Sequence, residues 1–410
     1  MQAETKAKAE ASKDKIAKFG PDIDIAQFAE AQERHDISSL SALSPELLRA
    51  AQGVGIELKE EARAGTFVQL DHSVIYQRIQ DSYAGQAEIM SITDALNKYP
   101  EIKNKYYWRA VSVDTDKYTS YAEVNPMHGY FIRVFKGSKL KRPIQSCLLL
   151  QENQTLQNVH NIIVIEEGAE VQIITGCSIA PKVKQGLHIG ISEFFQEKHS
   201  KLTFTMIHNW AEEFHVRPRS AAILEEGAIF TSNYILPRAA RSIQMFPSAY
   251  LKGRDSVANF NSLLWGLGES YIDVGSKIIL EGDGSRGQAN ARSICYDRAQ
   301  IYARGILHAK HDNTRAHLDC RGILFSKEGK SFAIPELIAD KAPGSTLSHE
   351  AAIGPINEEE IHYLMSRGLS RQAAIAMIVK GFEDVSILGL APELEAYVSR
   401  IMELTQKEAL

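Results

Sequence analysis

The sequence predicts a mainly β chain flanked by helical ends, and three observations carry that prediction. From about Tyr130 to Leu337 the chain is a succession of short β-type runs (YFIRVF, NIIVI, AEVQIIT, KLTFTMI, AIFTSNYIL, SYIDVGSKIIL, AQIYARGIL and HLDCRGIL), separated by Gly, Asn, Asp and Ser. Weak internal repeats run through the same stretch. Glu166-Glu167-Gly168-Ala169 recurs as Glu225-Glu226-Gly227-Ala228, and Arg304-Gly305-Ile306-Leu307 recurs 17 residues later from Arg321. On either side the apolar period changes to that of helices. Strands in this pattern suit a β-solenoid, whose coils need not be identical provided inward positions stay apolar, and equally a two-sheet sandwich. The 17-residue offset suits one coil of a solenoid.

In chain order, residues 1–129 read as a mostly helical region. Ser44 is placed to cap a helix with Pro45 at its first position and Leu47, Leu48 and Ala51 as its apolar stripe. A second helix near Ser91 to Leu96 is interrupted at Pro100, and the aromatic run 106–108 is expected to pack it onto the β region. Residues 130–347 form the β core. Residues 348–410 return to helix: Asn357 caps a helix opened by Glu358, Glu359 and Glu360 and ended by Gly368, and Ser370 caps a second closed by Gly381. A third starts at Pro392 and presents Leu394, Tyr397, Ile401 and Leu404.

Composition narrows the function classes. With 46 basic and 51 acidic side chains among 410 residues, the formal charge is −5, and 44% hydrophobic with 24% charged is an ordinary globular mixture. That excludes a strongly basic nucleic-acid coat. The longest apolar run, Ala373 to Val379, is far below the roughly 20 residues of a membrane span. The charged N-terminus lacks the apolar core of a secretory signal, so a cytoplasmic location is expected. Four cysteines without C-x-x-C argue for reduced thiols.

Several nucleotide and metal motifs fail on inspection. Gly329-Lys330-Ser331 resembles the end of a phosphate loop, but Leu324 stands where that loop needs glycine. His349-Glu350 begins a zinc-protease motif, but Ile353 replaces its second histidine. Gly282 to Gly287 satisfies G-x-G-x-x-G, yet strand-like sequence comes after it rather than the helix that would hold a pyrophosphate, so a solenoid corner is expected there. Cys147, in SCLLL, reads as a core residue. Cys320 alternates with Leu318 on a strand and precedes His349-Glu350, and thiolate, imidazole and carboxylate together bind iron or zinc.

The segment TLSHEAAIG (346–354) and the later RGLSRQAAIAMIVKGF (367–382) resemble the C-terminal signature of the SufB/SufD scaffold family of the SUF iron–sulfur cluster assembly system. Gly176-Cys177-Ser178-Ile179-Ala180-Pro181, Leu187-His188 and Asn209-Trp210 are similar to that family's G-C-T-A-P, L-H and N-W landmarks in the same order, with one residue inserted in the first. The likeness covers roughly 130–385. It implies a right-handed parallel β-helix with helical ends, no enzymatic activity of its own, a dimer of scaffold subunits and a SufC-type ABC ATPase docked on the C-terminal helices. The absent phosphate loop agrees with an ATPase in a partner. A sulfur donor and apo-protein acceptors are further implied partners, and a transient iron–sulfur cluster is the implied cargo; reduced flavin is associated with the family, but no residue here places one.

Residue by residue, Cys177 matches the cysteine that accepts sulfur inside the β-helix, Cys320 is the thiol in the region of the cluster-building cysteine, and His349 and Glu350 match the His-Glu pair of the SufB branch. The chain is short for a SufB and lacks an N-terminal cysteine cluster, which suits a compact, homodimeric branch. On this reading sulfur passes through the lumen from Cys177 to iron at Cys320, with Glu350, His349 and Cys295 as further candidate ligands. Neighbouring strand residues face opposite ways, so His349 and Glu350 either lie on a loop or serve different roles or subunits. The alternatives are a β-helix carbohydrate-binding or lyase-type protein and a flavin or nicotinamide oxidoreductase.

Overall fold

A computed structural model describes residues 2–30, 35, 39–126, 128–238, 240–340, 342–382, 395, 396, 398 and 399. The N-terminal third contains α1 (Gln2–Ala11), β1 (Ala29–Glu30), α2 (Pro45–Gln52), β2 (Gly65–Leu70), β3 (Ser73–Ile79), β4 (Ala87–Ser91), α3 (Ile92–Lys98), α4 (Ile102–Lys105) and α5 (Lys117–Val124). Ser44 caps α2, its Oγ accepting from the Leu47 N–H at 3.3 Å, and Ser91 caps α3 in the same way at 3.0 Å. The region is less helical than its sequence suggests. β2 and β3 form an antiparallel hairpin about Asp71, whose φ of 49° is left-handed, and β2 then pairs in parallel with the solenoid. Both faces of β2 are buried, so its apolar residues show no alternation from which a strand could be read.

The solenoid begins with β5 (Tyr130–Val134), β6 (Ile144–Leu150), β7 (Thr155–Ile165), β8 (Glu170–Ile179), β9 (Gln185–Gln196) and β10 (Lys201–Asn209). It continues through β11 (Glu213–Val216), β12 (Arg219–Leu224), β13 (Ile229–Arg238), β14 (Ser242–Met245), β15 (Ser248–Leu251) and β16 (Val257–Gly266). It ends with β17 (Tyr271–Leu280), β18 (Arg286–Cys295), β19 (Gln300–Ala309), β20 (Arg315–Leu324), β21 (Lys330–Ala339) and β22 (Thr346–Gly354), and α6 (Glu358–Ser366) and α7 (Arg371–Phe382) come after it. Alternate strands stack into two sheets, and the chain makes a parallel β-solenoid of about eight turns with helices at its ends.

Val257 pairs with Arg286 and Arg286 with Arg315, so a coil takes 29 residues. The 17-residue repeat is therefore not one coil: Arg304 lies on β19 in one sheet and Arg321 on β20 in the other. The Glu-Glu-Gly-Ala repeats are corners before β8 and β13, where Gly168 and Gly227 adopt φ of 67° and 63°. Gly282 to Ser285 is likewise a corner, leading into β18 rather than a helix.

Two apolar cores result. One fills the lumen, with Ile173, Phe204, Phe230, Phe260 and Leu318 pointing inward. The second lies between the N-terminal elements and the outer face of the sheet containing β7 and β9, where Tyr106 meets Phe195 and both Tyr107 and Trp108 meet His160. At the other end Asn357 caps α6, and Gly368 stands just beyond it at φ +95°. Ser370 Oγ accepts from the Ala373 N–H, but α7 runs through Gly381 instead of closing there. The stripe expected after Pro392 lies outside the described residues. Val379, Val398 and Phe382 join the main core, and the Arg292 guanidinium lies 5.7 Å from the Phe382 ring centre. No described helix is long and apolar enough to cross a membrane.

Candidate functional site

Strand alternation decides which side chains enter the lumen. On β8, Gly176 faces outward beneath α2, where an added Cβ would lie 2.4 Å from Val54 Cγ2, so Cys177 faces inward. Its ladder neighbour one coil on is His208, and Thr175 is likewise the neighbour of Met206. Cys177 Sγ lies 3.9 Å from Met206 Sδ. From the facing sheet, β9 contributes His188. One donor atom from each of Cys177, His188 and His208 falls within 4.8 Å of the others, and all three residues are buried.

The hydrogen bonds around the histidines set their form. Gln157 Nε2 donates to the Leu149 carbonyl, which turns Oε1 toward His188, and His188 Nδ1 donates to that oxygen at 2.9 Å. The lone pair of His188 is thereby left on Nε2. His208 Nδ1 shares a 3.1 Å bond with the Tyr234 hydroxyl, while its Nε2 is buried without a partner. Burial pushes His188 down to about 3 and His208 well below the ordinary imidazole value, the latter helped by His188. Burial also pushes the Cys177 thiol well above its usual value, with Cys147 adding to the shift. The three groups are neutral at neutral pH: two imidazoles and a thiol.

The other predicted residues occupy the far end of the solenoid. Cys320 is 1% exposed and faces the lumen, with Ala291 and Ala351 as its ladder neighbours. Burial, then Asp319, pushes its thiol up to about 11. His349 and Glu350 both lie on β22, a regular strand and not a loop, and so face opposite ways. His349 shares the inward row of Leu318, and its Nε2 is buried without a partner. Glu350 is exposed on the outer face beside Asp319, with Arg321 Nη2 4.0 Å away. Cys295 ends β18 one coil from Cys320, its Sγ donating to the Ala299 carbonyl at 3.2 Å. Since Ala291, not Cys295, is the ladder neighbour of Cys320, the two thiols are separated by roughly 13 Å along the strand. Among the described residues, no three of Cys295, Cys320, His349 and Glu350 converge as Cys177, His188 and His208 do. Cys147 pairs with Gly176 and shares its outward side, a buried core residue as its sequence context suggested.

Between the two ends the lumen is not completely filled. One cavity of about 40 Å³ is lined by Met206, His208, Ser232, Tyr234 and Phe260, and a second of about 40 Å³ shares Ser232, Tyr234 and Phe260 and continues to Ala291 and Leu318. The inward row from Met206 runs Tyr234, Ser262, Ala291, Cys320, so its side chains become small toward Cys320. Cys177 and Cys320 are five strand steps apart in one sheet, roughly 24 Å.

His208 escaped sequence reasoning, and His188 entered it only as a landmark. The signal existed: Cys177 and His208 are about one coil apart, but recognising this requires the true coil length in place of the 17-residue offset.

The lumen of this parallel β-solenoid buries thiols and imidazoles, side chains whose sulfur and nitrogen atoms suit soft and borderline metal ions. Residues 148–382 match the family model for the SufBD core domain of SUF-system iron–sulfur cluster assembly. The chain is 41% identical over 413 residues to an iron–sulfur cluster assembly SufBD family protein of Methanothermobacter thermautotrophicus, covering 99% of this chain and 100% of the relative. A protein of the same description from Archaeoglobus fulgidus is 43% identical over 357 residues, 87% of this chain and 94% of the relative. The iron–sulfur cluster assembly protein SufB of Bacillus subtilis is 26% identical over 395 residues, 94% and 83% respectively. The chain belongs to the SufBD family of the SUF iron–sulfur cluster assembly system.

Proposed function

We propose that this chain is a scaffold subunit on which iron–sulfur clusters are built and from which they pass to apo-proteins, with ATP hydrolysed by a SufC-type partner. The observation that carries the reading is the line of lumenal cavities from His208, beside Cys177, to Leu318, beside Cys320. Sulfane sulfur is lost readily to water and competing thiols, and an enclosed path limits both. Cys177 receives sulfur from the donor. Five strand steps are too many for direct exchange between the two thiols, so a hydrosulfide ion attacks the outer sulfur of a Cys177 persulfide, which breaks the S–S bond, frees Cys177 as thiolate and forms a small hydropersulfide; the Cys320 thiolate then takes the sulfane sulfur from that carrier by the same displacement and releases hydrosulfide, with no net change of oxidation state.

Cys320 is the first ligand to iron, with His349 beside it on the inward side, while Cys295, roughly 13 Å along the strand, is too far away to share that iron. Glu350 faces out from its own chain and is suited to serve across the seam between two copies, as a hard oxygen ligand that leaves readily on cluster release. A homodimer formed through the last coil supplies that seam. The ATPase docks on α6 and α7, which expose Tyr363, Met365 and Met377, and its closure on ATP pulls these helices to open the seam.

The test is anaerobic reconstitution of the chain with iron and sulfide. Cys320→Ala is expected to lose the iron–sulfur charge-transfer absorption while keeping the circular dichroism of the wild type. Full loading of that variant defeats the assignment.

A further inference from the structure

The N-terminal end of the lumen holds two imidazoles that the sulfur path does not use, beside the thiol that it does. Cys177, His188 and His208 bring one sulfur and two nitrogen donors within 4.8 Å of each other. In zinc-type coordination such atoms sit roughly 3.3–3.6 Å apart, so the three side chains need to close by about 1 Å around an ion. Space for this exists: Gly190, next but one along β9, lacks the Cβ that would stand 2.7 Å from His188 Nε2.

Two further features point to a ligand. His208 Nε2 is buried, 1% exposed as a residue, and has no hydrogen-bond partner, an unusual state for a polar atom in a close-packed interior. Each ring is also held through its other nitrogen, His188 by Gln157 and His208 by Tyr234, which is how proteins orient metal-binding imidazoles. A single buried side chain separates the site from the surface cleft nearby. Trp210 stacks over Phe214 and sits 5.2 and 5.6 Å from the two imidazoles; it also lines a cleft of about 820 Å³ with Glu46, Glu212 and Asp297 on its walls.

We propose that Cys177, His188 and His208 form a binding site for a single borderline divalent transition-metal ion, Zn²⁺ or Fe²⁺ in class, distinct from the cluster site at Cys320. One sulfur and two imidazole nitrogens suit ions of this class and exclude Mg²⁺ and Ca²⁺, which need oxygen donors. On binding, the Cys177 S–H bond is broken, its proton passes to solvent and the thiolate forms the S–metal bond, with no change of oxidation state. Three protein donors leave one position of a tetrahedral ion open. The site relies on the lumenal placement of Cys177 but not on the sulfur relay. If both operate, ion and sulfane sulfur compete for the same Sγ.

The experiment uses the full-length chain with Cys320→Ser, so that the cluster site contributes no thiolate, titrated anaerobically with Co²⁺. One Co²⁺ per chain with a thiolate-to-cobalt charge-transfer band is expected. Adding Cys177→Ser is expected to remove the band, and adding His208→Gln to weaken binding by at least about tenfold. A folded protein that shows no band, or a band unchanged by Cys177→Ser, overturns the proposal. Should Cys177→Ser not fold, X-ray absorption of the zinc-loaded Cys320→Ser chain decides: one sulfur and two nitrogen donors support the site, and no sulfur donor overturns it. Cluster loading of the wild type is a separate readout, so cobalt binding without cluster formation defeats only the scaffold reading, and the reverse defeats only this one.

Discussion

At the carboxylate of Glu193 the N–H groups of Trp108, Arg109, Ala110 and Val111 converge at 2.6–3.0 Å, with the His160 ring at 2.9 Å. The group is fully buried on the outer face of β9 and ties the N-terminal elements to the solenoid. Removing it strands four donors in the second core, and breaking a buried, fully bonded charge costs about 3–5 kcal/mol. Glu193→Ala should therefore shift the urea midpoint well below that of the wild type, with Glu193→Gln between them; an unchanged midpoint would show that water replaces the carboxylate. The lumenal histidines set a second residue-scale expectation. Burial holds His188 and His208 below their unfolded value of 6.5, so on acidification the unfolded chain takes up protons that the folded chain refuses. Stability is then full above about pH 6.5 and falls toward pH 4, each ring adding a slope of up to about 1.4 kcal/mol per pH unit. Unfolding midpoints measured across that range should fall, and His188→Gln should flatten the curve. Cys177 was legible as a sequence landmark, whereas His208 was not: a histidine acquires meaning only when the fold sets it beside a thiol.

Helix α2 shows how tightly an element controls the strand beneath it. It approaches β8 so closely that a Cβ on Gly176 would meet both Val54 Cγ2 at 2.4 Å and the Val54 carbonyl at 2.5 Å. The carbonyl belongs to the backbone just beyond α2 and cannot rotate aside. Gly176→Ala should lower the thermal midpoint by the equivalent of roughly 1–3 kcal/mol, the usual cost of overpacking, and the Val54→Ala background should rescue it only in part. At this scale the sequence was readable where one face of an element is polar or a cap is explicit. The helices capped by Ser44 and Asn357 obey their signals, the helix near Ser91 forms where its stretch was read, and the β runs of the core became strands. β2, buried on both faces, carried no alternation, and Arg304 and Arg321 mark opposite sheets because a repeat of side chains need not be a repeat of coils.

For the whole molecule the decisive feature is the open end of the solenoid. Every interior strand has a neighbour on each side, but β21 pairs only with β19 and β22 only with β20 among the described residues, leaving backbone donors and acceptors along both outer edges. Phe332 stacks on Tyr302 at 4.8 Å yet remains 40% exposed, and Ile334 and Leu337 on the same strand are 38% and 42% exposed. Edges of this kind are ordinarily covered, because a bare apolar strand recruits another chain. A two-fold partner would pair equivalent edges antiparallel, cover the apolar side chains of both copies and bring the outward Glu350 of each close to the last coil of the other. Sedimentation of the purified chain should then give a dimer that dissociates on dilution, and Phe332→Lys with Ile334→Lys should give a monomer with unchanged circular dichroism, since neither side chain supports the lumen. A wild-type monomer at every concentration, or a dimer indifferent to the two lysines, would remove the seam on which shared use of Glu350 depends while leaving the lumenal site of Cys177, His188 and His208 untouched, because that site is complete within one chain.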